Sequence, residues 1–169
     1  MQINVSQLLR EPVGATREYR IDEVTDVAGD GREWHLQGKV SLLRTRRSIL
    51  IKVTLTTEVE LTCSRCLSPF PYPLTISFEE EYLPTLDIVS GTPLPHPDEP
   101  GAFSIDEHHT LDLTEAIRQY TVLAIPMKPL CRKDCAGLCR SCGQHLNRGN
   151  CDCTAAEIDP RWSELTKLL

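Results

Sequence analysis

Six of the eight cysteines in this 169-residue chain fall in the twenty-three residues from Cys131 to Cys153, at Cys131, Cys135, Cys139, Cys142, Cys151 and Cys153. A segment this rich in thiols has few apolar residues for a core of its own, so a bound metal is the natural source of its folding energy. Cys63 and Cys66 form a separate Cys-x2-Cys pair, bringing the total to eight. Eight is the number that two four-thiolate zinc sites require. Cys-x2-Cys lets two thiolates reach one ion from a tight turn, and Gly143 directly after Cys139-Arg-Ser-Cys142 gives the backbone the freedom that turn needs.

Local spacing selects the first quartet. Cys151 and Cys153 follow Cys142 after a turn containing Asn147, Gly149 and Asn150, so Cys139, Cys142, Cys151 and Cys153 can close a tetrahedral zinc with no long-range folding. The second quartet would be Cys63, Cys66, Cys131 and Cys135, which would staple the tail to a distant hairpin. Pairing Cys135 with Cys139 is an alternative that leaves free thiols, and His145 is a possible substitute for one cysteine. Four disulfides are a further alternative, disfavoured in a reducing cytosol.

Either zinc would be structural. A catalytic zinc keeps an open position beside three protein ligands, whereas two sets of four thiolates close both ions. The chain has no His-Glu-x2-His, no His-x-Glu paired with Pro-Cys-x2-Cys and no glycine-rich phosphate loop. The Glu107-His108-His109 run is a local cluster of acid and histidine, and beside acidic sequence it reads as surface. No catalytic residue and no small-molecule substrate are expected.

The rest of the chain reads mainly as strands. From Ser48 to Thr62, Ile49, Ile51, Val53, Leu55, Thr57, Val59 and Leu61 alternate with Lys52, Thr54, Thr56, Glu58 and Glu60, the period of a half-buried strand. A second strand alternates Tyr72, Leu74, Ile76 and Phe78, which places Cys63-Ser-Arg-Cys66 in a hairpin turn. Tyr19 to Val24 and Trp34 to Leu42 read as further strands, while Gln2 to Arg10 is ambiguous. Asp112 caps a helix with Glu115 reaching back; Leu113, Ile117, Tyr120 and Ala124 share one face before Pro126 ends it. Asp159-Pro160 starts a short terminal helix through Trp162, Leu165 and Leu168.

The expected fold is therefore α+β. A mainly antiparallel sheet covered by one helix occupies 1–126, and a zinc-binding segment, 127–169, packs on it and ends in the short helix. Within the first part, 83–101 carries five prolines in an acidic stretch and reads as a mobile loop. No apolar run approaches the roughly 18 residues of a membrane span, so a cytoplasmic protein without membrane attachment is expected.

Charge is divided along the chain. Between Leu67 and Ile117 there are ten acids and no Lys or Arg, although the whole chain carries only −6. Eight thiolates less two Zn2+ would lower the total by four, to −10. Whole-surface attraction to nucleic acid is therefore not expected, and any RNA contact must use local basic patches.

Several features together resemble one family. They are Cys63-Ser-Arg-Cys66-Leu67 at a strand end, Pro126 and Pro129 before Cys131, Gly137-Leu-Cys139-x2-Cys142-Gly143, Leu146-Asn147, Cys151-x-Cys153 and Asp159-Pro160-Arg161. The combination looks like the YceD family of large ribosomal RNA subunit accumulation proteins. That resemblance implies a non-enzymatic factor in large-subunit ribosomal RNA accumulation or processing and ribosome biogenesis. One departure is Arg140, where similar members often carry proline.

The partners implied are a large-subunit ribosomal RNA precursor or ribosomal and assembly proteins, with oligomeric state open. RNA-binding candidates are Arg132, Lys133, Arg140 and Arg148 around the cysteines, with Lys128, and Arg44, Arg46 and Arg47 in the strand region, with Lys52. One competing reading is a protein adaptor whose acidic surface grips a basic partner. Another is a zinc-thiol redox-regulated chaperone.

Overall fold

In a computed structural model, described over residues 1–27, 31, 33–95 and 101–153, the alternating segments build one seven-stranded sheet. Its strands are β1 (Gln2–Asn4), β2 (Thr16–Thr25), β3 (Trp34–Arg44), β4 (Ile49–Thr62), β5 (Pro69–Pro84), β6 (Phe103–Ile105) and β7 (Thr110–Asp112). The order across the sheet is β1-β7-β6-β5-β4-β3-β2. β2–β3, β3–β4, β6–β7 and β1–β7 are antiparallel, and β5–β6 is a parallel pair.

The period-two pattern is reproduced in burial. Ile49, Ile51, Val53, Leu55, Thr57 and Val59 of β4 are buried, as are Leu74, Ile76 and Phe78 of β5. Each fully buried Leu or Ile contributes roughly 1.5–3 kcal/mol of transfer free energy, so these two strands carry much of the core. Gly38 of β3 pairs with Leu55, where the backbones approach so closely that a Cβ would lie 2.1 Å from the Thr54 carbonyl oxygen.

Two helices are described within 1–126, where the sequence suggested one covering the sheet. The ambiguous N-terminus forms β1 and then the short α1 (Ser6–Arg10), burying Leu8 and Leu9. Five residues are too few to display a helical period, which is why the sequence left this segment open. The expected covering helix is α2 (Thr114–Ala124), with Ala116, Ile117 and Thr121 buried and Tyr120 stacked on Phe78 at 4.4 Å between ring centroids. Its cap differs from expectation. Asp112 Oδ1 does accept the Thr114 N–H at 2.8 Å, but Leu113 occupies the cap position, and Glu115 turns to Arg118 and Gln119. The carboxylate finds stronger partners in a guanidinium than in a backbone N–H.

Of the stretch expected as a mobile loop over 83–101, residues 96–100 lie outside the described residues, while 85–94 form a bonded turn. Leu86 bridges to Pro93, and Leu94 N–H donates to the Thr85 carbonyl at 2.9 Å. Asp87 closes the turn by accepting the N–H groups of Val89 and Ser90. The ring of Pro93 occupies an edge position that needs no ladder donor, which reconciles proline with strand pairing. The Glu107-His108-His109 run is the β6–β7 turn, where Asp106 Oδ1 accepts the N–H groups of His108 and Thr110. The terminal helix expected from Asp159 lies outside the described residues.

The chain divides into two units. One comprises Met1–Val59 and Pro71–Pro126, and the other comprises Glu60–Phe70 with the tail from Met127. The tip of the β4–β5 hairpin thus belongs with the cysteine-rich tail, although the sequence division at residue 126 placed it with the sheet.

Candidate metal centre

In the second unit the β4–β5 turn brings Cys63 and Cys66 to the tail. Cys63 N–H donates to the Ser68 carbonyl at 2.9 Å, closing the turn, and Ser64 N–H donates to the Pro129 carbonyl at 2.8 Å. Leu130 and Phe70 pack against the buried Cys63, Cys66 and Cys135. The sulfur of Cys63 lies 3.8 Å from that of Cys135, and Cys66 lies 3.7 Å from Cys131. These are too long for disulfides, whose sulfurs are about 2.05 Å apart. They match the roughly 3.8 Å expected between sulfurs arranged tetrahedrally around a metal with bonds of about 2.3 Å.

Cys139, Cys142, Cys151 and Cys153 form a second cluster, and in each quartet all four sulfurs lie within 4.8 Å of one another. The knuckle is built locally: Gly143 N–H bonds the Cys139 carbonyl at 3.0 Å, Cys139 N–H bonds the Gln144 carbonyl at 2.8 Å, and Ser141 N–H points at the Cys139 sulfur at 3.4 Å. The two quartets use all eight cysteines, so either could hold a metal ion with four thiolates. Their exposure differs. Cys63, Cys66 and Cys135 are buried, whereas Cys142 and Cys153 are exposed.

The chemistry of the thiols fits a cation. Backbone N–H groups, led by that of Cys131, hold the Cys63 thiol down to about 6, while burial pushes Cys131 up to about 12. The backbone N–H groups of Cys142 and Ser141 hold Cys139 down to about 6, and hydrogen bonding to Cys142 pushes Cys153 up to about 12. In each cluster backbone N–H groups directed at one sulfur favour its thiolate form, the form that binds a cation.

The two knuckles share one backbone device. Leu67 N–H bonds the Cys63 carbonyl at 3.0 Å, as Gly143 N–H bonds that of Cys139, and the residue after each second cysteine is left-handed, with φ of +58° at Leu67 and +75° at Gly143. Leucine in that conformation costs roughly 1–2 kcal/mol, and its side chain is 62% exposed. Leu67→Gly is therefore expected to stabilise the second unit by up to about 1 kcal/mol, partly offset by glycine's greater unfolded-state entropy. Chemical denaturation followed by a probe in this unit measures it.

Asn147 stood out in the sequence as part of a turn and of the family-like Leu146-Asn147 pair, with nothing to show its role as a brace beside Cys135. Its Nδ2 donates to the Cys135 sulfur at 3.1 Å, and its Oδ1 accepts the Ala136 N–H at 2.8 Å and a bond from Arg132. His145 belongs to neither quartet; its Nε2 lies 3.1 Å from the Ser68 hydroxyl. Gly137 has φ of +77°, and a Cβ there would meet the Arg65 carbonyl oxygen at 3.1 Å. Arg65 in turn donates to the Cys135 carbonyl at 2.9 Å.

The basic candidates fall into two groups. In the second unit Arg132 is committed to Asn147 and lies 3.7 Å from Asp134. Lys128, Lys133, Arg140 and Arg148 are exposed, with no ion pair among the described residues. In the first unit Lys52 is paired with Glu79 at 2.5 Å, while Arg44, Arg46 and Arg47 line a cavity. Among the described residues no helix is long and apolar enough to cross a membrane.

A family model described as large ribosomal RNA subunit accumulation protein YceD matches residues 51–169. An uncharacterized protein of Mycobacterium tuberculosis is 30% identical over 178 residues, covering 100% of this chain and 81% of the relative. An uncharacterized Mycobacterium leprae protein is 28% identical over 123 residues, covering 72% of this chain and 53% of the relative. The Arabidopsis thaliana protein named large ribosomal RNA subunit accumulation protein YCED homolog 1, chloroplastic, is 34% identical over 58 residues, which are 34% of this chain and 18% of that protein. No solved structure matches the chain.

Proposed function

The chain belongs to the YceD family, and on that premise we propose that it is a zinc-stabilised, non-enzymatic factor in the accumulation and processing of large-subunit ribosomal RNA. The observation that carries the reading is the grouping of all eight cysteines into two closed quartets. Four thiolates around each ion leave no position for a substrate, so the metal holds a surface in place and supplies folding energy. Zinc is the ion such an all-thiolate set favours in a cell. Unpaired thiols grouped this closely suit a reducing compartment, in keeping with a cytoplasmic location.

RNA contact in the second unit would use Lys133, Arg140 and Arg148, the exposed cations near the knuckles, with Arg132 acting chiefly as a brace. Ultraviolet crosslinking of the protein to immature large subunits tests this directly. Crosslinks to ribosomal RNA are expected, and the triple change of Lys133, Arg140 and Arg148 to glutamine should weaken binding to single-stranded RNA and reduce the log–log salt slope by about 2, from roughly 0.7 per phosphate contact. Unchanged binding and slope would remove this patch from the reading.

A second reading is supported by the charge pattern. The run from Leu67 to Ile117 has ten acids and no Lys or Arg, which suits a basic ribosomal or assembly protein. Crosslinks to protein with none to RNA would favour that adaptor role.

A further inference from the structure

The cavity beside Arg44 combines three features that RNA contact through the second unit does not use. Its volume is about 630 Å3, within the range of small-ligand and peptide pockets. Its floor is aliphatic, from Leu9, Leu83, Leu86, Ile88 and Leu94, and its cationic side is formed by Arg44, Arg46 and Arg47. Among the described residues the one acid in its lining is Asp87, whose Oδ1 is already engaged by the N–H groups of Val89 and Ser90 and the Ser90 hydroxyl.

The walls are fixed before any ligand arrives. Arg46 and Arg47 sit on the turn after β3, where Thr45 Oγ1 accepts the Ser48 N–H at 3.0 Å and lies 2.6 Å from the Ser48 hydroxyl. The turn closed by Asp87 also lines the cleft. Neither turn has to form on binding, so little ordering entropy is lost. Arg44 lines the cleft; its Nε, shielded from solvent, has no hydrogen-bond partner among the described residues, so its guanidinium is not already committed to a protein acceptor there. A buried donor of this kind is costly to leave unmet, and a carboxylate is the acceptor that matches a guanidinium best.

The lining also discriminates between classes of ligand. Among the described residues it contains no aromatic ring, so a nucleobase would find no stacking partner among them. An aliphatic floor rewards Leu, Ile or Val side chains instead, and unpaired arginines reward nearby carboxylates. We propose that this cleft docks a peptide segment of a partner protein in which aspartate or glutamate residues alternate with aliphatic ones. The acidic groups engage Arg44, Arg46 and Arg47 while the aliphatic side chains fill the floor.

A direct test uses the full chain, zinc-loaded, and a fluorescein-labelled peptide of sequence Gly-Leu-Glu-Leu-Asp-Leu-Glu. Binding is followed by anisotropy and by the side-chain Nε–H resonances of arginine. Saturable binding with a shift of the Arg44 Nε–H signal is expected. Affinity should fall about tenfold or more, some 1.4 kcal/mol per tenfold, for the R46E/R47E double variant, whose two sites are exposed and leave the fold intact. A peptide with serine in place of leucine should lose at least as much.

Independent confirmation comes from Leu94→Asp, which changes only the partly exposed edge of the floor and should weaken binding comparably while circular dichroism stays unchanged. Equal binding of the leucine and serine peptides, or no effect of R46E/R47E, overturns the proposal. An oligouridine that shifts the Arg44 Nε–H signal more than the peptide does also overturns it and assigns the cleft to RNA. None of these outcomes touches the crosslinking test of the second unit, so the two readings fail separately.

Discussion

Replacing Cys63 with serine is expected to lower bound zinc from two ions to one per chain and to loosen the whole second unit. The Cys63 sulfur is buried and lies 3.8 Å from that of Cys135 across 72 residues of sequence, so its loss opens the junction between hairpin and tail. Structural zinc supplies roughly 10–16 kcal/mol of apparent binding free energy in isolated zinc-finger peptides, and a missing thiolate forfeits a large part of that. Metal analysis of the purified protein gives the stoichiometry, and hydrogen exchange should show faster exchange at the Ala136 N–H, which Asn147 fixes beside Cys135. Two zincs per Cys63→Ser chain would refute the split quartet. Cys142→Ser should likewise remove one ion, but with the exchange increase confined to 139–153, because that knuckle closes on its own bonds.

Gly38→Ala should be the most damaging single methyl in the sheet. Gly38 is paired with Ile21 on one side and Leu55 on the other, so the strands flanking β3 hold it in register. A Cβ there would stand 2.1 Å from the Thr54 carbonyl oxygen and 2.9 Å from the Leu55 Cα. Both are backbone atoms, so relief requires β3 and β4 to separate along their ladder. A loss of about 3–5 kcal/mol is expected, the range of severe single substitutions, and at about 2–4 °C per kcal/mol for a chain of this size the thermal midpoint should fall by roughly 10 °C. A fall under about 2 °C would show that the sheet accommodates the methyl and would refute the close approach. Substituting Gly14, around whose Cβ position nothing lies within 4 Å, provides a control for backbone conformation alone.

The parts of the fold that followed from sequence are those with a local period. β4 spans 49–62, within the segment marked by its alternating residues, and six of the seven residues the pattern named are buried, Leu61 near the strand's end being only half-buried. α2 ends before Pro126 as its periodicity required, yet its cap shifted because Glu115 pairs with Arg118, a competition that the capping pattern does not register. α1 and the 85–94 turn escaped for different reasons. One is shorter than the helical repeat, and the other depends on a single aspartate accepting several N–H groups in a stretch where proline suggests disorder. The left-handed Leu67 had no signal at all, since the residue most favoured there is glycine.

The metal centre shows the same boundary. By itself the sequence determined the number of thiols, the two knuckles and the completeness of the local quartet, because a Cys-x2-Cys turn needs only neighbouring residues to aim two sulfurs at one point. Only the tertiary structure decided that Cys63 and Cys66 meet Cys131 and Cys135, that Asn147 braces them, and that Arg44, Arg46 and Arg47 face an aliphatic cleft. Those arrangements depend on chain segments far apart in sequence, and no spacing rule encodes the strand register and turn closure that bring them together.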